Sequence, residues 1–450
     1  MSLGRNIAIF TITVSLLTFI AFFGRLPAFR YTPVGFLHRL LIVHIPSTLR
    51  RTDLFLTNGR VTNGGLRFGH YLLHEKHPLV MVFFLGLVTA CAVLFLPVIW
   101  EQISLHHKLL VLILLPLPYL FTYLSATRNA DAYITPQNHA AQMRHYPYDR
   151  ILYYPGIICE TCKLLKPARS KHCSICKTCV ARMDHHCVWV NNCLGRGNYR
   201  WFLALLLSST LLIAYGAYLA YMVISPLAEQ QYKTYEQWYK YKPPRGSDPN
   251  SWTTYKDTKW HNLSTMASIY LDIGGLRASG VGMLCLIAWT LPLGLLLYHV
   301  YLIYAGMSTN ENMKWGDWRD DMADGNVFLA HRRPETMRDD LSSDSLHDVK
   351  PPATFGNSIC SALGSSPSTS ASSIPTPPGT PPNEEEPLTT WPLESKHILL
   401  RTYTGEAPRN LPDLIKSVTD EESFQRVWHL GVVENVYDLG FWDNFVEAMR

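Results

Sequence analysis

The chemistry of this chain concentrates in one short segment. Residues 159–193 read CETCKLLKPARSKHCSICKTCVARMDHHCVWVNNC. They hold seven of the ten cysteines, at 159, 162, 173, 176, 179, 187 and 193, together with His172, His185 and His186. Cys159-x2-Cys162 and Cys173-x2-Cys176 have the spacing of metal knuckles, and Cys179 continues the rhythm. A structural zinc site takes four ligands in a tetrahedron, commonly three cysteines and one histidine. Two such sites consume six cysteines and two histidines, which leaves one of each to spare. So short a segment has little core of its own, and bound zinc would supply its folding free energy. Asp184-His185-His186-Cys187 sets a carboxylate, an imidazole and a thiol within four residues. A thiol is a poor nucleophile until ionised. A neighbouring imidazole can take its proton, and a carboxylate can hold that imidazole in the right tautomer. Adjacent His185 and His186 cannot point the same way, so one can face Cys187 while the other binds metal. The spacing leaves open which.

These residues must be held by a scaffold, and the composition points to a membrane. Charged residues are 17% of the 450 and aromatics 12%, against about 25% charged in an ordinary soluble protein. A mean hydropathy of +0.02 conceals long apolar runs diluted by a polar tail. The composition argues against a purely soluble enzyme and against a fully disordered chain. A net charge of +5 is too mild for nucleic-acid binding. Five stretches are apolar enough to span a bilayer, near residues 7–23, 79–99, 109–125, 201–224 and 281–304, and none holds Asp, Glu, Lys or Arg. The first could be a cleaved signal peptide. Only Arg5 precedes it, while Arg25 and Arg30 follow it, which favours an uncleaved anchor with its N-terminus outside. Residues 24–78, with eight Lys/Arg, and residues 126–200 are then cytosolic. The loop 225–280 is lumenal and contains the glycosylation sequon at Asn262. The tail after about 305 returns to the cytosol. Its Ser/Pro/Thr/Glu-rich part, about 339–390, cannot bury a core and reads as disordered. The last stretch, 395–450, regains Trp428, Tyr437, Phe441, Trp442 and Phe445 and should fold back onto something. The expected fold class is an α-helical integral membrane protein of about five transmembrane helices, with a cytosolic zinc-bound domain between spans three and four.

The cytosol is reducing, so clustered cysteines there read as metal or catalysis rather than disulfides. The order Cys159-x2-Cys162, Lys166-Pro167-Ala168-Arg169, His172-Cys173, Asp184-His185-His186-Cys187, then Cys193, Asn198 and Phe202 resembles the DHHC cysteine-rich domain of protein S-acyltransferases. The match runs without a gap over about 45 residues. Ser308-Thr309-Asn310-Glu311 resembles that family's Thr-Thr-x-Glu motif, with Ser in the first place. The run 435–440 (NVYDLG), with Asn444 beyond, resembles its C-terminal turn around a tyrosine. The extra first span and the run 310–318 (NENMKWGDW) are similar to the fungal spore-wall-formation type.

The resemblance implies one zinc on Cys159, Cys162, His172 and Cys179, and a second on Cys173, Cys176, His186 and Cys193. It leaves Cys187 as nucleophile, His185 as base and Asp184 as its orienter. It implies two-step transfer of palmitate from palmitoyl-CoA, through an acyl-Cys187 thioester, to membrane proteins with cysteines beside a span, SNAREs among them. It implies the endoplasmic reticulum membrane, with the active site facing the cytosol. Lys163, Lys166, Lys171, Arg182, Arg196 and Arg200 could meet CoA phosphates or anionic lipid heads, each weighed against an ordinary solvated charge. Cys91 and Cys285 read as packing residues, Cys360 as an exposed tail thiol, and His106 and His107 as solvated. Asp131 and His139 have no evident partner. The expected domains are 1–125 (anchor, loop, spans two and three), 126–200 (zinc domain), 201–305 (spans four and five), 306–338 (juxtamembrane motif), 339–394 (spacer) and 395–450 (aromatic motif). The rival reading is a non-catalytic membrane-bound zinc scaffold. A RING-type ligase would need a further Cys-x2-Cys pair downstream of Cys193, which is missing.

Overall fold

A computed structural model describes residues 20, 31–127, 132–243, 248, 251–334, 395–402, 404–409 and 411–450. The expected first span at 7–23 (except for Ile20), Asp131, Cys360 and the Ser/Pro-rich spacer lie outside the described residues. The chain divides into two units, Met1–His77 and Pro78–Arg450.

In the first unit the expected cytosolic loop is helical. Helix α1, Pro33–His38, leads through a π-helical turn, Arg39–His44, into α2, Ile45–Thr57. A left-handed pair, Asn58 and Gly59, reverses the chain into α3, Arg60–His74. The Asp53 carboxylate caps that reversal by accepting the Thr62 amide at 2.7 Å.

In the second unit, four helical stretches among the described residues are long and apolar enough to cross a membrane. They are Leu79–Ile99, Leu105–Ala126, Tyr199–Thr234 and Trp252–Tyr304. The first is helix α4, Leu79–Ile99. The second is broken in the middle into α5, Leu105–Leu114, and α6, Leu117–Ala126, because Pro116 and Pro118 cannot donate to the helix ladder. Helix α7, Tyr199–Thr234, runs 36 residues. At 1.5 Å per residue that is about 54 Å, well beyond a hydrocarbon core of about 30 Å. Helix α8, Trp252–Gly275, continues through a π-helical turn, Leu276–Gly280, into α9, Val281–Ala288, and α10, Thr290–Tyr304. The expected lumenal loop 225–280 is therefore mostly helix. Apolarity ends near residue 225, but a hydrogen-bonded helix does not need apolarity to continue. Ser251 opens α8 as an N-cap, its hydroxyl accepting the Thr254 amide at 3.2 Å.

Close approach of α7 and α9 depends on small residues, as expected where lipid supplies no hydrophobic drive between helices. A Cβ on Gly282 would lie 2.4 Å from the Ala220 Cβ, and one on Gly216 would lie 3.3 Å from the Cys285 sulfur. Past α10, helix α11, Thr309–Ala323, feeds a three-stranded antiparallel sheet. Its strands are β5, Val327–His331, β6, His397–Arg401, and β7, Gln425–Arg426, with β5 central and Leu329 opposite Leu399. Trp315, Met322, Val327, Leu329 and Leu399 bury together with Ile151. The chain closes on α12, Phe441–Met449, which packs its Ala448 among α7 and α10 side chains.

Gly282→Val should destabilise the helix bundle by about 1–3 kcal/mol through overpacking, read as a lower thermal midpoint of the detergent-solubilised protein. Gly294→Ala, where a Cβ meets nothing within 4 Å, should leave that midpoint unchanged or raised.

Candidate active site

The cysteine-rich segment folds as two small hairpins. Strands β1, Lys171–Cys173, and β2, Thr178–Val180, pair with His172 opposite Cys179. Strands β3, His185–Cys187, and β4, Asn192–Leu194, pair with His186 opposite Cys193. Each knuckle turns in the same way. The amide of its second cysteine donates to the sulfur of its first at 3.4 Å, Cys162 to Cys159 and Cys176 to Cys173. The next residue, Lys163 or Lys177, takes a left-handed backbone.

Two tetrads result. In one, the His172 Nδ1 lies 3.5, 3.4 and 3.8 Å from the sulfurs of Cys159, Cys162 and Cys179. In the other, the His186 Nδ1 lies 3.7, 3.4 and 3.5 Å from Cys173, Cys176 and Cys193. A zinc tetrahedron with Zn–S near 2.3 Å and Zn–N near 2.0 Å has edges of roughly 3.5–3.8 Å. Both donor sets are thus compatible with zinc.

Strand geometry separates the two adjacent histidines. Side chains alternate across a strand, so His186 faces its tetrad while His185 and Cys187 share the opposite face. His185 Nδ1 bonds the Asp184 Oδ2 at 2.6 Å. Asp184 is 3% exposed. Its Oδ1 accepts the Thr309 amide at 2.7 Å and its Oδ2 the Thr309 hydroxyl at 2.9 Å. Burial would raise the Asp184 carboxyl, but His185 and the Thr309 amide outweigh it and hold it below the usual range. Burial likewise draws the His185 imidazole down, yet Asp184 and the Cys187 sulfur bring it up to about 9. Cys187 is 4% exposed and packs with Leu194, Phe202, Leu203 and Ile303 at the ends of the spans. Its register partner Asn192 is tied to the third expected span, donating to the Ser125 carbonyl at 3.1 Å.

A continuous apolar cavity of about 400 Å³ opens beside this site. Phe84, Trp189 and Phe202 line it near Cys187; Val111, Leu219 and Cys285 line its depth. Phe202 and Leu219 lie about 25 Å apart along α7 at helical rise. The packing expected of Cys91 and Cys285 is thus packing against this cavity. His107, read as solvated, instead bonds the Tyr215 hydroxyl at 2.6 Å. His139 meets the Leu165 carbonyl at 2.8 Å.

The three segments that carry the resemblance converge on the site. Ser308 caps α11: its hydroxyl accepts the Glu311 amide at 3.3 Å, and its own amide donates to Glu311 Oε2 at 2.8 Å. Arg169 Nε and Nη2 donate to the two Glu311 oxygens at 2.7 and 2.6 Å, with both side chains 1% exposed. Burial would raise Glu311, but Arg169 keeps it below the ordinary glutamate range. The Arg169 guanidinium also lies 4.5 Å from the Tyr437 ring centre. Asn435 Nδ2 donates to the Ala305 carbonyl at 3.0 Å, and the Tyr437 hydroxyl to that of Pro147 at 2.8 Å. Among the basic residues, Lys163 and Lys171 are exposed, and Lys171 Nζ donates to Asn310 at 2.9 Å. Arg182 is buried, and its Nε and Arg196 Nη1 are buried without a hydrogen-bond partner.

The sequence reading passed over His299, which the structure sets beside the Asp184–His185 pair. A signal existed: it is the one histidine of the stretch 281–304, and an ionisable group in a span is a functional candidate by default.

Comparison with known proteins agrees with this geometry. The profile of the DHHC palmitoyltransferase family matches residues 153–316. The chain is 38% identical over 444 residues to Palmitoyltransferase SWF1 of Neurospora crassa, covering 98% of this chain and 91% of that protein. It is 38% identical over 457 residues to Palmitoyltransferase swf1 of Emericella nidulans, covering 99% and 96%. Over 149 residues it is 39% identical to Palmitoyltransferase ZDHHC4 of Bos taurus, covering 31% and 42%.

The buried Arg169–Glu311 pair gives the clearest test of how the site is held. Glu311→Ala should cost about 3–5 kcal/mol by stranding a buried guanidinium. Thermal unfolding of the solubilised chain reads this loss, and an unshifted midpoint would show that the pair does not clamp α11.

Proposed function

The chain belongs to the DHHC palmitoyltransferase family and is a protein S-palmitoyltransferase, and we propose that it works in two steps through a thioester on Cys187. The observation that carries the reading is positional. Of the seven clustered cysteines, Cys187 alone stands outside both tetrads, and on the strand face it shares with His185 it packs with Phe202, which also lines the apolar cavity.

In the first step His185, through the ring nitrogen not bonded to Asp184, takes the Cys187 thiol proton. The thiolate attacks the carbonyl of palmitoyl-CoA, the bond to the CoA sulfur breaks, and His185 returns the proton to the departing CoA thiolate. In the second step His185 takes the proton of a substrate cysteine. That thiolate attacks the acyl-enzyme, and the proton ends on Cys187. A thioester is exchanged for a thioester at each step, so neither needs ATP. Asp184, fixed by Thr309, holds the imidazole and stabilises its cationic form. The acyl tail lies in the cavity between the spans. Zinc on the two tetrads would supply folding free energy for the hairpins and no chemistry of its own.

The substrates are membrane proteins with cysteines beside a span, SNAREs among them. The enzyme resides in the endoplasmic reticulum membrane with the site facing the cytosol. The resemblance to the spore-wall-formation type and the eight Lys/Arg of residues 24–78 support this.

A clickable palmitate analogue should label the wild-type chain through a hydroxylamine-sensitive bond. Cys187→Ala should take no label while still carrying two zinc ions per chain. Persistent self-labelling of that variant would remove Cys187 from the mechanism, and a Cys187→Ser chain that keeps its function in cells without taking label would favour the scaffold reading. For orientation, Asn262 is exposed on α8 and should carry a glycan removable by endoglycosidase; cleavage of residues 225–280 by a protease added from the cytosolic side would overturn the assignment.

A further inference from the structure

Beside Asp184 and His185 lies a second imidazole that the two-step mechanism does not use. His299 belongs to α10 and is 1% exposed. A ring nitrogen of His299, a ring nitrogen of His185 and a carboxylate oxygen of Asp184 lie within 4.8 Å of one another. The His299 and His185 rings stack with centres 6.0 Å apart and planes 30° from parallel. Phe202 sets its ring steeply against both, at 5.6 Å from His185 and 5.1 Å from His299. His299 is itself tethered: its Nδ1 hydrogen-bonds the Tyr199 hydroxyl across 2.9 Å.

His185 has one anchor to a side chain other than its nucleophile, the bond from Nδ1 to Asp184. A ring held at one atom can rock about that bond, and rocking moves the opposite nitrogen relative to the Cys187 sulfur. Packing on the ring faces removes this freedom. An untethered aromatic ring could fill the same space, but it would have no fixed plane. A buried tyrosine hydroxyl also needs a partner, and in the Tyr199–His299 pair the two needs are met together.

We infer that His299 is a positioning residue for palmitoyl transfer: tethered by Tyr199, its ring stacks on His185 and fixes the plane in which that imidazole meets Cys187. The inference rests on the reading of His185 as the base. It assigns His299 no contact with the reacting atoms.

The test is single-turnover acylation of the full-length purified enzyme by palmitoyl-CoA. His299→Ala should slow the saturated rate by about 10- to 100-fold, the scale on which small misplacements act, with the palmitoyl-CoA concentration for half-saturation and the zinc content unchanged. Tyr199→Phe, a milder change, should slow it in the same direction and add nothing on top of His299→Ala. In a His185→Ala background, removing His299 should cost nothing further, because its effect passes through His185. A wild-type rate in His299→Ala, a loss that tracks lost zinc, or an undiminished loss in the His185→Ala background would overturn the inference. A His185→Ala enzyme as fast as wild type would sink the reading of the base itself. A slow His185→Ala enzyme beside an unimpaired His299→Ala enzyme would sink this inference alone.

Discussion

The proposed donor, a palmitoyl thioester of CoA, belongs wholly to neither phase, and this constraint bears on the rest of the molecule. Its tail gains about 0.8 kcal/mol for each CH₂ kept in apolar surroundings, while the CoA head is charged. The reacting carbonyl has to be met at the boundary. A sulfur buried in mid-span would be out of reach of the head, and one on an outlying loop would be out of reach of the tail. Cys187 packs with Phe202, Leu203 and Ile303, the ends of two spans, and Phe202 also lines the cavity. A short cysteine-rich module with little core cannot hold that address unaided. It has to be fastened to the spans from several sides.

The fastening is polar and redundant. Asn192 ties the second hairpin to Ser125 at the end of α6. Thr309, the first residue of α11, ties it to the start of that helix through Asp184. Arg169, between Cys162 and His172 in sequence, reaches the same helix start through Glu311. The C-terminal turn closes over this joint, with Tyr437 against the Arg169 guanidinium and Asn435 on the Ala305 carbonyl. Buried polar groups of this kind are costly unless each is satisfied. Satisfied, they fix one arrangement where apolar packing would tolerate several. Asp184 takes part in both tasks: its oxygens bind Thr309 and also orient His185. The anchor of the module and the orienter of the proposed base are therefore one carboxylate.

How much of this was legible in the chain differs by level. The spans at 79–99 and 281–304 could be read closely, because apolarity over about 20 residues is what a bilayer demands. The helical continuation past residue 225 could not, because a helix closed by its own hydrogen bonds places no such demand on composition. The donor types and the count of spare ligands were legible from spacing. The separation of His185 from His186 was not, since it depends on residues 185–187 forming a strand, and three residues are too few for a periodic signal. Ser308 to Glu311 was legible only as a resemblance. Its physical reason, one cap that delivers Thr309 to Asp184 and Glu311 to Arg169, needs contacts across more than 120 residues. His299 was hidden differently. Its side chain faces protein, and a single histidine in an apolar run reads as tolerated until its neighbours are seen.

The strand also explains why metal ligand and proposed base can be adjacent without conflict. Because successive side chains on β3 point to opposite faces, a metal held by His186 would lock the backbone that presents His185 and Cys187 on the other side. The tetrad of Cys173, Cys176, His186 and Cys193 spans both strands of that hairpin, through the His186–Cys193 register pair. The tetrad of Cys159, Cys162, His172 and Cys179 spans the other hairpin through His172 and Cys179. Each proposed zinc thus staples one hairpin across its two strands, the second also joining that hairpin to the first through Cys173 and Cys176, and only the second hairpin carries the proposed nucleophile. Rigidity supplied on one face of a strand becomes orientation on the other, which lets a segment with little hydrophobic core hold a thiol and an imidazole in fixed relation at a membrane surface.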